Sequence, residues 1–141
     1  MPMNYQAVWE AAKSLAAELG YHPSLPENLH RTLRHEGFPI AVIDHPKVRS
    51  IEGERERKVM CALSVKFLNK NELSDEARAA SIATLASDAE RFCARLSEQS
   101  HIFSVTIGEI APVGEVLTLA GEVAVALSAD VESFECLTQV K

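Results

Sequence analysis

Residues 49–72 read RSIEGERERKVMCALSVKFLNKNE, and the character of the chain changes in the middle of this stretch. Six charged residues fall between Glu52 and Lys58, and then strongly β-forming residues take over. From there on Val59, Cys61, Leu63, Val65 and Phe67 share one face, while Lys58, Met60, Ala62, Ser64 and Lys66 share the other. Alternation with period two predicts a strand in a sheet with one buried face. Upstream, FPIAVIDHP (residues 38–46) is an apolar run bounded by Gly37 and Pro46 and predicts the partner strand. Pro39 cannot donate to a ladder, so that strand lies at an edge or begins there. The region from His45 to Arg57 then reads as the long charged tip of an antiparallel hairpin. Such a tip either stands in water or meets a partner.

Helical signals flank this hairpin. In NYQAVWEAAKSLAAELG (residues 4–20), Tyr5, Val8, Ala12, Leu15 and Leu19 step by three and four, giving one apolar stripe. Asn4 suits the N-cap and Gly20 the left-handed residue that ends a helix. Between Tyr21 and Gly37, Pro23 and Pro26 predict an extended loop, after which Leu29 and Leu33 mark a short helix. The segment from residue 69 to 100 is the longest regular one. Ser74 caps it, Asp75 and Glu76 complement the positive end of the helix dipole, and Ile82, Leu85, Ala89, Phe92 and Leu96 form its stripe. Arg78, Ser81, Asp88 and Arg95 fall on its outer surface.

The last third is β. In HIFSVTIGEI (residues 101–110), Phe103, Val105 and Ile107 share a face opposed by Ser104 and Thr106. After the breakers Pro112, Gly114 and Gly121, a second alternating run puts Val123, Val125, Leu127, Ala129 and Val131 inward. The closing SFECLTQVK (residues 133–141) has no pattern and reads as a tail that orders against a neighbour. The whole predicts one domain over residues 1–141. It is a two-layer α+β fold with about four antiparallel strands carrying helices on one face, in the order helix, hairpin, helix, hairpin.

Composition narrows the function. Fourteen basic against twenty acidic residues leave a net charge of -6, and the basic ones are interleaved with acids, which argues against nucleic acid as partner. No apolar run approaches the length that spans a bilayer, so no membrane is expected. Three cysteines, Cys61, Cys93 and Cys136, lie far apart, and their odd number with apolar surroundings for two of them favours a reducing compartment such as the cytosol.

Chemistry is sparse. The five histidines, His22, His30, His35, His45 and His101, form no zinc spacing, and His30 and His35 fall about 140° apart on a helix. Asp44 and His45 are adjacent on an extended chain and so point apart. There is no serine elbow, no phosphate-binding glycine loop, and arginines compete for the tip carboxylates that could hold a divalent ion. We therefore expect no catalytic residue, no cofactor and no metal, since an enzyme would need groups such as His22, His45 and Glu109 gathered from distant segments. Surfaces for other polypeptides are the stronger expectation. Met60, Ala62 and Leu68 on one strand, and Ala124 and Ala126 on the last, are apolar where a solvent face calls for charge. Either a neighbouring subunit covers them or another part of the chain does. The candidate contact residues are thus Glu52, Glu54, Arg55, Glu56 and Arg57 at the tip, with Met60, Leu68, Ala124 and Ala126 on the sheet.

The layout resembles the small tail-completion and tail-terminator proteins of long-tailed bacteriophages and prophages. The stretches that carry the resemblance are NYQAVWEAAKSLAAEL, RKVMCALSVKFL, SDEARAASIATLASDAERFCARL and HIFSVTIGEIAPVGEVLTLAGEVAVALSADVE. It is a likeness in the order of elements, and it transfers no active site. It implies a non-enzymatic structural protein, made in the host cytoplasm and carried in the virion. Such proteins form a ring, commonly of six subunits, at the head–tail junction, with tail or connector proteins as partners. The alternative is a small cytosolic ligand-binding or regulatory α+β domain, monomeric or dimeric, with a pocket between sheet and helices.

Overall fold

The alternation at residues 59–67 forms the middle of β4 (Glu56–Asn69), the strand around which the sheet is built. In the computed structural model, which describes residues 4–54, 56–114, 117, 118 and 120–136, β4 pairs antiparallel along its whole length with β6 (Val123–Cys136). Their inward residues oppose each other in register, Val59 with Ser133, Cys61 with Val131, Leu63 with Ala129, Val65 with Leu127 and Phe67 with Val125. All ten are buried, and each Val, Leu or Phe among them stabilises the fold by about 1.5–3 kcal/mol. β5 (Ile102–Pro112) pairs antiparallel on the far side of β6.

The other side of β4 is shared by two strands. β2 (Ile40–Ile43) pairs with residues 65–68, and β3 (Lys47–Glu52) pairs with residues 58–62. The chain that was expected to form a hairpin tip from His45 to Arg57 is therefore mostly strand, and what joins the strands lies between Glu52 and Glu56. Gly53 takes φ +94 there, and a Cβ would lie 2.4 Å from the Glu56 carbonyl oxygen, so only glycine fits. A further strand, β1 (His22–Ser24), pairs parallel with β2, so β2 is not an edge and instead starts just after Pro39. The sheet thus has six strands rather than about four, in the order β1-β2-β4-β6-β5 with β3 beside β4.

α1 (Asn4–Glu18) and α3 (Asp75–Leu96) cover one face. Gly20 ends α1 at φ +93, with its N–H donating to the Ala17 carbonyl and the Tyr21 N–H to that of Ala16, each at 3.0 Å. Ser74 caps α3 as expected, its Oγ accepting from the Ala77 N–H at 3.0 Å. Phe67 stands between the rings of Tyr21 and Phe92, edge to face at 5.2 and 5.7 Å, and joins the sheet to both the α1 end and α3. The Tyr21 hydroxyl donates to Asp88 at 2.6 Å, and burial followed by that carboxylate pushes its ionisation far above the ordinary range. Asp88, read as a surface residue, is thereby drawn into the junction.

The third helix breaks the expected layering. α2 (Leu29–His35) lies on the opposite face, where Leu29 and Leu33 pack on Ile40, Val42, Leu68 and Ala124. Val113 and Leu117 of the β5–β6 connection complete this second cluster. Glu122, buried, holds the connection in place. Its carboxylate accepts from the Leu117 N–H at 2.6 Å, the Thr118 N–H at 3.1 Å and the Thr118 hydroxyl. Helices are therefore not confined to one face. β6 also runs past Ser133 to Cys136, so the first four residues of the expected tail are strand. Residues 137–141 lie outside the described residues.

Candidate functional site: the open sheet face and its edges

On the face away from α1 and α3, the sheet beyond α2 carries mostly small side chains. Ala62, Ser64 and Lys66 of β4 oppose Asp130, Ser128 and Ala126 of β6. Three irregularities converge above this floor. The chain leaves the ladder between β2 and β3 at residues 44–46, β3 shifts register between Val48 and Ser50, and β5 shifts between Ile107 and Glu109. The extra residue of the first shift is Arg49 and that of the second is Gly108. A Cβ at Gly108 would lie 3.3 Å from Ser128 Oγ and 3.4 Å from its carbonyl oxygen, so the bulge is close against β6.

These irregularities frame an open groove of about 430 Å³. Asp44, His45, Lys47 and Arg49 form one wall, and Gly108, Ser128 and Asp130 the other. Arg49 spans it, its Nε 3.5 Å from Asp130 Oδ1. Asp44 and His45 both line the groove, although adjacent residues of a regular strand would point apart, because the ladder ends with the Asp44 N–H donating to the Ser64 carbonyl at 3.0 Å and the chain departs at His45. His45 Nε2 lies 3.3 Å from Glu27 Oε2, and both side chains are largely exposed, so this pair contributes little to stability. Glu27's carboxyl sits below its ordinary value, chiefly through a backbone hydrogen bond and secondly through His45.

At the other end of the face stands an aromatic pair. The register shift between Ile102 and Ser104 turns Phe103 away from the face it was expected to share with Val105 and Ile107. Its ring meets Phe134 edge to face at 5.2 Å, with the Lys58 ammonium 5.3 Å from its centroid. Glu132 holds this corner, accepting from Ser104 Oγ at 3.0 Å and lying 3.7 Å from Lys58 Nζ. Phe103 is 57% exposed and Phe134 50%.

The candidate contact residues separate accordingly. Glu52 ends β3 opposite Lys58, Glu54 is exposed at the turn, and Glu56 and Arg57 begin β4. Arg55 lies outside the described residues. Met60 and Ala126 are half-buried on the open face. Leu68 and Ala124, by contrast, are buried beneath α2 and the β5–β6 connection, so there the chain itself supplies the cover and those two leave the candidate surface. The exposed apolar residues that pattern reading missed are Val48 and Ile51 on β3, Leu73 just before α3, Ile107 on β5, and Phe134. Val48 and Ile51 sit in a stretch whose charges hide its strand character.

Among the described residues no group of three or more His, Cys, Asp or Glu is placed to hold a metal ion. His22 on β1 and Glu109 on β5 lie at opposite ends of the strand order, with His45 beyond the end of β2. Cys61 and Cys93 are buried free thiols, and burial raises both, Cys93 to about 11. What the arrangement offers is contact surface: an open face with an exposed aromatic pair, bordered by β3 and β5, each paired on one side only among the described residues.

No helix among the described residues is long and apolar enough to cross a membrane. Comparison with known protein families finds no match for the chain, and no curated protein matches it either.

Proposed function

We propose that this protein is a non-enzymatic assembly protein that works by joining other polypeptides, itself included, through its open sheet face and edges. The observation that carries the reading is the placement of its exposed large apolar side chains. Among the described residues, Val48 and Ile51 lie on the edge strand β3, Ile107 on the edge strand β5, and Phe103 and Phe134 on the open face between, while Leu73, just before α3, lies apart from them. Unpaired strand edges and paired aromatics are what a neighbouring chain covers with most gain. The net charge of -6 directs the contact to polypeptide rather than nucleic acid.

Within that class, a joining protein of a phage or prophage tail at the head–tail junction is the specific reading. Its support is the succession of α1, a long hairpin, α3 and a second long hairpin, the layout shared with the small tail-terminator proteins. The insertion of β1 and α2 after α1 is a departure from that layout. A second reading, a ligand-binding or regulatory domain, is favoured by one observation, the groove of about 430 Å³ with cationic and carboxylate groups on its walls. A small polar ligand carrying both charges would suit it.

Solution mass by light scattering over a wide range of protein concentration tests the assembly reading. We expect masses that are multiples of the 15.4 kDa protomer, at least at high concentration. A chain that stays at 15.4 kDa throughout, both alone and with candidate partners, contradicts it.

A further inference from the structure

β3 is unlike every other strand of the sheet, because all six of its residues, KVRSIE, are exposed. Two of them are large aliphatics, Val48 at 39% and Ile51 at 48%, although the β4 residues they oppose, Cys61 and Val59, are fully buried. The apolar stripe of the helix-covered face therefore continues onto β3 and ends there uncovered.

The register of β3 has a further property. Lys47, Ser50 and Glu52 oppose Ala62, Met60 and Lys58 and so share the open face, whereas Val48 and Ile51 share the helix-covered face. Arg49, the extra residue of the bulge, reaches Asp130 on the open face. Read from Lys47 to Glu52, the faces run open, covered, open, open, covered, open. That sequence is the same in both directions. A strictly alternating strand of six would not have this symmetry, because its two ends would point to opposite faces.

We infer that β3 is a self-complementary edge on which a second copy of this chain pairs, antiparallel, about a two-fold axis between Arg49 and Ser50. In that register Lys47 faces Glu52 of the other copy and Val48 faces Ile51, and both pairs occur twice. Opposite charges meet on the open face and aliphatics on the covered one, the two kinds of cross-strand pair that stabilise a sheet. The Asp130 carboxylate offsets the charge of each Arg49 near the axis. Two four-strand units, β5-β6-β4-β3, become one continuous sheet. The contact closes at two copies and leaves β5 and the aromatic corner open for other partners. The occupant follows from the charge order of β3. Pairing β5 with a second β5 offers no such charge pair, because Glu109 is the only charged residue between Ile102 and Pro112.

This contact rests on the assembly reading, and sedimentation of five samples separates the two. The wild type is expected to dimerise, and Ile51→Lys to remain at the protomer mass with an unchanged thermal midpoint. Lys47→Glu and Glu52→Lys, each alone, place like charges opposite one another and weaken dimerisation by about tenfold. Mixed in equal amounts, these two are expected to recover wild-type affinity, because a chain with two acids then faces a chain with two bases. If Ile51→Lys proves less stable, the mixed charge variants still decide the register. A wild type that associates while Ile51→Lys associates equally tightly, or a mixture no tighter than either component, overturns this pairing alone. A wild type that remains a protomer when alone overturns the pairing, and the assembly reading falls with it only if the mass also stays at 15.4 kDa with candidate partners.

Discussion

Replacing Phe67 by alanine is expected to lower the unfolding free energy by about 3–5 kcal/mol, whereas Phe103→Ala should cost about 1 kcal/mol or less. Both are phenylalanines of the same sheet, and both lie in alternating runs. Phe67 is fully buried and holds the Tyr21 and Phe92 rings edge to face, so truncation leaves a cavity between sheet and helices that rigid neighbours cannot fill. Phe103 loses only its contact with Phe134 and the Lys58 ammonium, in water. Urea denaturation of the two variants measures the difference. Equal losses would place Phe103 in the core after all and remove the bulge that turns it outward.

The second large effect concerns Glu122. Glu122→Ala is expected to cost about 2–4 kcal/mol, because it strips a buried acceptor from two backbone N–H groups and the Thr118 hydroxyl at once. Those donors cannot all turn to water while Leu117 stays packed over the second apolar cluster. Either they remain unpaired or the connection lifts and uncovers Leu68 and Ala124. Glu122→Gln keeps one oxygen acceptor and should cost roughly half as much. The two are told apart by denaturant unfolding, with amide exchange at Ala124 and Leu68 reporting whether the cover has moved. A loss under 1 kcal/mol for Glu122→Ala would mean that the connection does not depend on this carboxylate.

What could be read from the amino acids, and what could not, follows from where water lies. β4 and β6 announce themselves because one face is buried and the other is not, so period two is written into Val59–Phe67 and Val123–Val131. α3 does so through Ser74 and the three-and-four steps of its stripe. β3 has no buried face, and evolution of its composition is not constrained to alternate; Lys47, Arg49 and Glu52 therefore make a paired strand resemble a loop. β1 is three residues with a central proline, which an edge position tolerates and no periodicity reveals. The bulges at Phe103 and Arg49 change the facing of residues without any change in hydropathy. Seven residues of α2 carry two leucines, enough to predict a helix but not which side of the sheet it covers. The candidate surface inherits these gaps. Expectation centred on the charges of the tip, while the exposed aliphatics lie beside them on β3, and Leu68 and Ala124 went to the chain's own interior.

Amide hydrogen exchange at low and high protein concentration tests most directly whether the open edges exist to be paired by another chain. The expected result is slower exchange in Lys47–Glu52 as concentration rises, with exchange in the buried strand Ile40–Ile43 unaffected. Exchange across Lys47–Glu52 and Ile102–Pro112 that stays the same at every concentration, and in the presence of candidate partners, would contradict it.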